Sequence, residues 1–294
     1  MTTETLEEAR EHDRAGRTID VLILVKTTPT PSEKYEDTVC VAGIALSPGP
    51  VRWVRLYPIA FRHLAHDKRF KKYAVVRVHV SSPRNDQRAE SLHADAGTLT
   101  VVKDYGSGPQ RNALMAGVPL TTTCRLLEGI RTDINGPSLG MVAARQVRLE
   151  IEPHKGWTKA QQAKIDRWQQ QPAFDLGLDD HVDAPPLEAP PFQAWYRYKC
   201  EAPDCNGHRQ GILDWELTAL QRRAQHEHKD PRRWIEDKYG DQMLAAERRQ
   251  LLALGNHSLP NRRRTFSVLS IYYPKNKDWA RAVNTRAQQD STLF

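Results

Sequence analysis

Apolar and polar positions change rhythm several times along the 294-residue chain. Residues 1–18 are charged, show no sustained apolar period, and read as a flexible N-terminal extension, poorly ordered or helical. From Ile19 the pattern is that of strands. Residues 21–25 (Val-Leu-Ile-Leu-Val) form an unbroken apolar run, the mark of a buried strand. Residues 38–46 and 51–57 are apolar stretches joined by Ser47-Pro48-Gly49-Pro50, which predicts a hairpin. Residues 73–80 alternate, with Arg77 and His79 on one face and Val76, Val78 and Val80 on the other. Residues 99–102 make a fifth strand. Residues 112–115 and 121–130 read as helices, and 140–143 and 146–151 as further strands. Many short strands with little helix predict a small, partly closed β-barrel over residues 19–153.

The rhythm then becomes helical. Residues 159–171 form a polar helix that Pro172 ends. The stretch up to Phe192 holds Pro185-Pro186, Pro190-Pro191 and the acidic run 179–183, so 154–192 reads as a helix followed by a stiff Pro-rich linker. Residues 195–200 alternate like a strand. Leu213, Leu217, Leu220 and Ala224 line one side of a helix over 214–228, and Pro231 opens another that runs through Tyr239 to Leu244. Residues 250–254 and 265–273 are strands on either side of a loop at 255–264. Residues 193–286 therefore make a mixed α/β domain, and 287–294 a tail. The expected fold class is α+β: an N-terminal small β-barrel-like domain followed by a mixed α/β C-terminal domain.

Composition sets the surroundings. Hydrophobic residues are 39% and charged residues 27%, a globular balance. No run reaches the roughly 18 apolar residues of a membrane helix, and the first 20 residues lack the apolar core of a signal peptide. The expectation is a soluble, cytoplasmic protein with no membrane partner. Net charge is +7, with 29 Arg to 14 Lys. Residues 193–294 hold 18 basic and 12 acidic side chains, so the excess belongs to the C-terminal domain. An Arg-led excess suits phosphate recognition.

Three constellations carry candidate chemistry. Cys200, Cys205 and His208 lie within nine residues, with Pro203 and Gly207 shaping a turn. With His226 or His228 as a fourth ligand they would hold a structural zinc ion. Cys40 and Cys124 read as small buried residues. Basic side chains recur at Arg222, Arg223, Arg232, Arg233, Arg262, Arg263 and Arg264, and on the barrel at Arg52 and Arg55, all as candidate nucleic-acid contacts. Asp214, Glu216 and His257 are weak catalytic candidates; Asp214 also fits a helix N-cap. No phosphate loop, dinucleotide glycine pattern, HExxH or GxSxG is present.

These features predict a nucleic-acid-binding protein, of a kind that suits a mobile-element or phage-defence locus. Its barrel would recognise the nucleic acid, and its Arg-rich C-terminal domain would grip phosphates. An enzyme is the less favoured alternative: a metal-dependent nuclease using the Cys200–His208 loop with Asp214 and Glu216. A third reading is a basic subunit that meets a protein partner.

Overall fold

A strand that is apolar on both faces needs partners on both edges, and β1 (Arg17–Lys26) has them. In the computed structural model, which describes residues 4–31, 37–83, 86–169 and 185–291, the chain forms two units. One comprises Met1–Asp104 with Pro153–Pro191, the other Tyr105–Glu152 with Phe192–Phe294. The expected boundary at 153 is thus corrected: residues 105–152, which the sequence pattern assigns to the barrel, belong to the second unit. Among the described residues no helix is long and apolar enough to cross a membrane.

In the first unit, helix α1 (Leu6–Gly16) precedes β1, and the two-residue β2 (Thr30–Pro31) follows it. β1 pairs antiparallel with both β3 (Asp37–Ser47) and β5 (Ala74–Ser81). β4 (Arg52–Ile59) pairs antiparallel with β3 and parallel with β6 (Ser91–Asp104), and β6 pairs antiparallel with β5. The ring β1-β3-β4-β6-β5 closes on itself, so this is a closed five-stranded barrel with its edges consumed. Counting ring strands only, the order is first-second-third-fifth-fourth, with third and fifth parallel. That is the Greek-key order of an OB-type barrel. Closure brings β1 and β3 very near at Gly43: a Cβ there would lie 2.0 Å from the Leu22 carbonyl oxygen, so no side chain fits.

Of the two readings of the N-terminal extension, poorly ordered or helical, the structure shows the helix, α1. Thr5 caps it, accepting from the Glu8 amide while Glu8 accepts from the Thr5 amide. Its buried face carries Ala9 and Asp13. Asp13 accepts from Arg52 Nη2 at 2.7 Å and Nε at 3.1 Å, and from Arg17 Nε at 2.8 Å. Arg52 Nη1 also donates to the carbonyls of Pro48 and Pro50, 3.0 Å each. The part of the expected linker at 170–184 lies outside the described residues. Its described end packs onto this unit: Leu187 is buried, Trp157 Nε1 donates to its carbonyl at 2.9 Å, and the His154 amide donates to Pro191.

The second unit is a mixed sheet with helices. Helix α2 (Pro109–Ala116), the short β7 (Leu120–Thr121) and helix α3 (Thr123–Thr132) precede β8 (Leu139–Pro153). After α4 (Lys159–Gln169), which belongs to the first unit, come β9 (Phe192–Cys200) and β10 (His208–Gly211). Then follow α5 (Trp215–His226), α6 (Pro231–Ile235) continuing into a π-helical stretch Glu236–Gln242, β11 (Gln250–Asn256), β12 (Phe266–Tyr272) and α7 (Asn276–Ser291). The sheet order is β10-β9-β8-β11-β12, with β7 beside β8. One core joins Ala194, Tyr196, Tyr198, Val142, Leu252 and Leu254 of the sheet to Leu126 and Ile130 of α3, Leu217 of α5, and Ile235 and Tyr239. On the opposite face Tyr272 meets Trp279 of α7 edge-on, with ring centroids 6.2 Å apart, and its hydroxyl bonds Asn112 of α2.

The Asp13–Arg52 pair is 2% exposed on each side. Removing one partner leaves a buried charge uncompensated, typically costing about 3–5 kcal/mol. Asp13→Ala or Arg52→Ala should therefore lower the first unit's thermal midpoint sharply, as read by calorimetry. A midpoint within error of wild type would show that α1 does not brace the barrel.

Candidate metal centre and nucleic-acid face

Two segments distant in sequence meet at one corner of the second unit. Thr122 caps α3, its hydroxyl accepting from the Arg125 amide at 3.1 Å, which sets Cys124 in the first turn. β9 and β10 form a hairpin in which His208 faces Tyr198. The connecting turn carries Cys205, and Gly207 adopts φ +104°, a conformation side chains rarely take. The result gathers Cys124, Cys200, Cys205 and His208, whose ligand atoms all lie within 4.8 Å of one another. Cys200 Sγ is 3.6 Å from Cys124 Sγ; His208 Nε2 is 3.2 Å from Cys205 Sγ and 3.6 Å from Cys124 Sγ.

The surroundings treat the sulfurs differently. The Cys200 amide donates to Cys205 Sγ at 3.3 Å. Burial works against a Cys200 thiolate. Amide donors from Cys124 and Ala202, with His208 and Cys205, outweigh it and bring the Cys200 pKa down to about 6. That of Cys124 is pushed up to about 12, by burial and then by Cys200 and Cys205. Beneath the cluster, the Tyr198 hydroxyl donates to Gln210 Oε1 at 2.6 Å and lies 2.9 Å from Thr123 Oγ1. The Tyr198 ring sits 5.4 Å from that of His208. These contacts hold α3 and the hairpin around the site.

Three residues read from sequence as ligands, Cys200, Cys205 and His208, are thus brought together. The fourth member is Cys124, not a histidine: His226 and His228 are exposed at and beyond the end of α5. As a lone cysteine with no ligand-type residue near it in sequence, Cys124 reads as a small core residue. The available signal is its place in the first turn of a Thr-capped helix, which fixes the direction of its side chain.

The catalytic candidates do not gather. Asp214 is 1% exposed and caps α5, accepting from the Glu216 amide at 3.1 Å. His257 lies exposed in the loop after β11. Among the described residues, Cys124, Cys200, Cys205 and His208 form the one group of His, Cys, Asp or Glu with metal-ligand spacing.

The arginines separate into classes. Arg52, Arg55 and Arg263 are 4%, 2% and 6% exposed, which corrects their reading as surface contacts. Arg55 donates to Cys40 Sγ at 2.9 Å. On α5 and α6, Arg223 pairs with Glu227, Arg232 with Glu236 and Arg233 with Asp237, each one helical turn on. Arg222 is half-buried, while Arg262 and Arg264 are exposed. On the barrel, alternation along β4 sets Trp53, Arg55 and Tyr57 on the face opposite the buried Val54 and Leu56. Tyr57 is 40% exposed and Trp53 half-buried.

Residues 119–292 match the model of a family described as "Domain of unknown function (DUF8757)". The chain belongs to this family. The DUF8757 match begins inside the second structural unit and takes in all four cluster residues. Residues 17–116, the barrel strands and α2, match a second family, "Domain of unknown function (DUF8758)". No curated protein matches the chain. Among solved structures, the Ifi202 HINa domain in complex with double-stranded DNA superposes with TM-score 0.30 at 9% identity, over 88% of this chain and 96% of that one. A replication protein A heterotrimer bound to single-stranded DNA gives 0.32 at 8%, over 94% and 52%. A murine DNA-binding protein with double-stranded DNA gives 0.28 at 8%, over 88% and 97%. At these scores the likeness decides neither fold nor function.

Replacing an Asp N-cap by Ala usually costs about 0.5–2 kcal/mol. Asp214→Ala should destabilise the second unit by that order in denaturant titration, and Asp214→Asn by less. Equal stability of both variants to wild type would remove the capping role.

Proposed function

We propose that this protein binds nucleic acid through the outer face of its barrel, and that a structural zinc ion holds its second unit. One observation carries the binding reading. On a small closed barrel of OB-type order, β4 presents Trp53 and Tyr57 two positions either side of Arg55. In such barrels the second and third ring strands, here β3 and β4, are where oligonucleotides lie. An aromatic face stacks any base, with each stacked base contributing about 1–3 kcal/mol. Between Trp53 and Tyr57 on the same face, Arg55 bonds Cys40 of the neighbouring strand and so ties β4 to β3. The phosphates are met by exposed basic side chains, so affinity falls as salt rises.

The zinc reading rests on distances. Tetrahedral zinc, with bonds of about 2.3 Å to sulfur and about 2.05 Å to nitrogen, needs ligand edges of ~3.8 Å between sulfurs and ~3.6 Å between sulfur and nitrogen. The observed 3.6 Å sulfur–sulfur and 3.2–3.6 Å sulfur–nitrogen separations fit that shell. Three cysteines and a histidine complete the coordination without water, the composition of a structural site. The ion would tie the start of α3 to the β9–β10 hairpin and neutralise the crowded thiolates.

Two measurements test these readings. Labelled oligothymidine should bind the protein at low salt, and Trp53→Ala with Tyr57→Ala should weaken binding about tenfold or more while the fold persists. Unchanged affinity in the double variant would remove the face. The purified protein should carry one zinc per chain by elemental analysis. Cys124→Ser should lose it and lower the thermal midpoint, as should a strong chelator. A metal-free protein whose midpoint ignores chelator would overturn the zinc site.

A further inference from the structure

The loop after β11 is held in a way that the neighbouring basic segments are not. Its middle arginine, Arg263, is 6% exposed and turns inward. Arg263 Nη1 donates to the Ile134 carbonyl at 3.2 Å and to the Asn135 side chain, and Nε donates to the Ser258 carbonyl at 3.4 Å. Asn256 Nδ2 donates to the Arg263 carbonyl at 2.9 Å. Within the loop, the Arg262 amide reaches Leu259, the Arg263 amide Pro260, and the Thr265 amide Arg262. One buried guanidinium thus pins the 257–264 loop to the turn at 133–136.

Pinning fixes what the tip shows. Arg262 and Arg264 flank the inward Arg263 and are exposed, and neither has an ion-pair partner among the described residues. By contrast, Arg223, Arg232 and Arg233 are each neutralised by a glutamate or aspartate of their own helical segment. Two apolar residues bonded to this loop through their carbonyls are exposed: Leu259, which accepts from the Arg262 amide, is 49% exposed, and Ile134, which accepts from Arg263 Nη1, is 40% exposed. Two exposed cations on one short loop, with no carboxylate paired to either among the described residues, leave a local positive charge that a phosphate can answer. An apolar shoulder at the same place matches the alternation of phosphate with sugar and base along a strand.

We infer that this pinned tip, Arg262 and Arg264 with Leu259 and Ile134, is the phosphate-gripping site of the second unit, and that the α5–α6 doublets are not. The inference rests on the nucleic-acid reading of the barrel and adds a second point of attachment to it. Arg263 is a positioning residue here: it shapes the tip and touches no phosphate. Because the loop is preformed, little ordering entropy opposes binding.

The test measures binding of labelled oligothymidine to the full-length, zinc-loaded protein across a salt series. Arg262→Ala with Arg264→Ala should reduce the slope of log affinity against log salt by about 0.7 for each phosphate that is no longer neutralised. Leu259→Ala should weaken binding without altering that slope, since its interaction is apolar. Arg232→Ala with Arg233→Ala should leave both affinity and slope near wild type. A double Arg262/Arg264 variant that keeps wild-type affinity and slope would overturn the inference. If the Trp53/Tyr57 variant is weakened in that same series, the barrel reading stands by itself. If the wild-type protein binds no oligothymidine at low salt, both readings fall together. Circular dichroism and zinc content verify that each variant is folded.

Discussion

Three sulfurs and an imidazole nitrogen packed into one corner pose a charge problem that the second unit is built around. The four atoms come from two segments: Cys124 near the start of α3, and Cys200, Cys205 and His208 in the β9–β10 hairpin, with Cys124 and Cys200 76 positions apart in the chain. Drawing such distant segments together costs loop entropy, which grows only slowly with length. What must be overcome is mainly the desolvation and mutual repulsion of the sulfurs. Burial opposes a thiolate at Cys200, but amides of Cys124 and Ala202 help bring its pKa down to about 6, whereas burial and then Cys200 and Cys205 push that of Cys124 up to about 12. The zinc ion proposed for this corner would relieve the remaining repulsion. Thr123, Tyr198 and Gln210 then fix the walls of the site by hydrogen bonds among themselves.

The first unit meets a different constraint, closure of a short barrel. β1 pairs on both edges, and Gly43 removes the side chain that would strike the Leu22 carbonyl. Closure leaves one end of β4 with a buried arginine, Arg52, which α1 answers with Asp13. The same strand turns Trp53 and Tyr57 away from the core. So the strand that needs the N-terminal helix for its charge balance also carries the face assigned to base stacking.

Both units treat arginine in the same way. Where a guanidinium can satisfy several carbonyls or a carboxylate, it is taken inside as a brace: Arg52 with Asp13, Pro48 and Pro50, and Arg263 with Ile134, Asn135 and Ser258. Where a carboxylate stands one helical turn away, the charge is paired at the surface. A count of basic residues therefore overstates the field this protein presents to an anion. In the loop after β11 neither arrangement holds Arg262 and Arg264, which are exposed.

Much of the architecture is legible from local pattern. The strands at 21–25, 38–46, 51–57 and 73–80 rest on apolar periodicity, and the turn at Ser47–Pro50 on Pro and Gly chemistry, because both act within a few residues. Cys200, Cys205 and His208 are legible for the same reason: they lie on one turn. The fourth cluster member is not, since nothing within a few residues of Cys124 marks which distant segment it will meet. The N-terminal helix escapes the apolar pattern although Thr5 and Glu8 spell a capping box, because its buried face is a single alanine beside an aspartate. The division of the chain is hidden for a related reason. Residues 105–152 look like more barrel in sequence, and only pairing of β8 with β11 assigns them to the second sheet. Local sequence set the four barrel strands named above, the turn that holds Cys200, Cys205 and His208, and the excess of arginine. Tertiary structure alone decided which cysteine completes the corner and which arginines are buried, because burial and pairing are set by segments that meet only after the chain has folded.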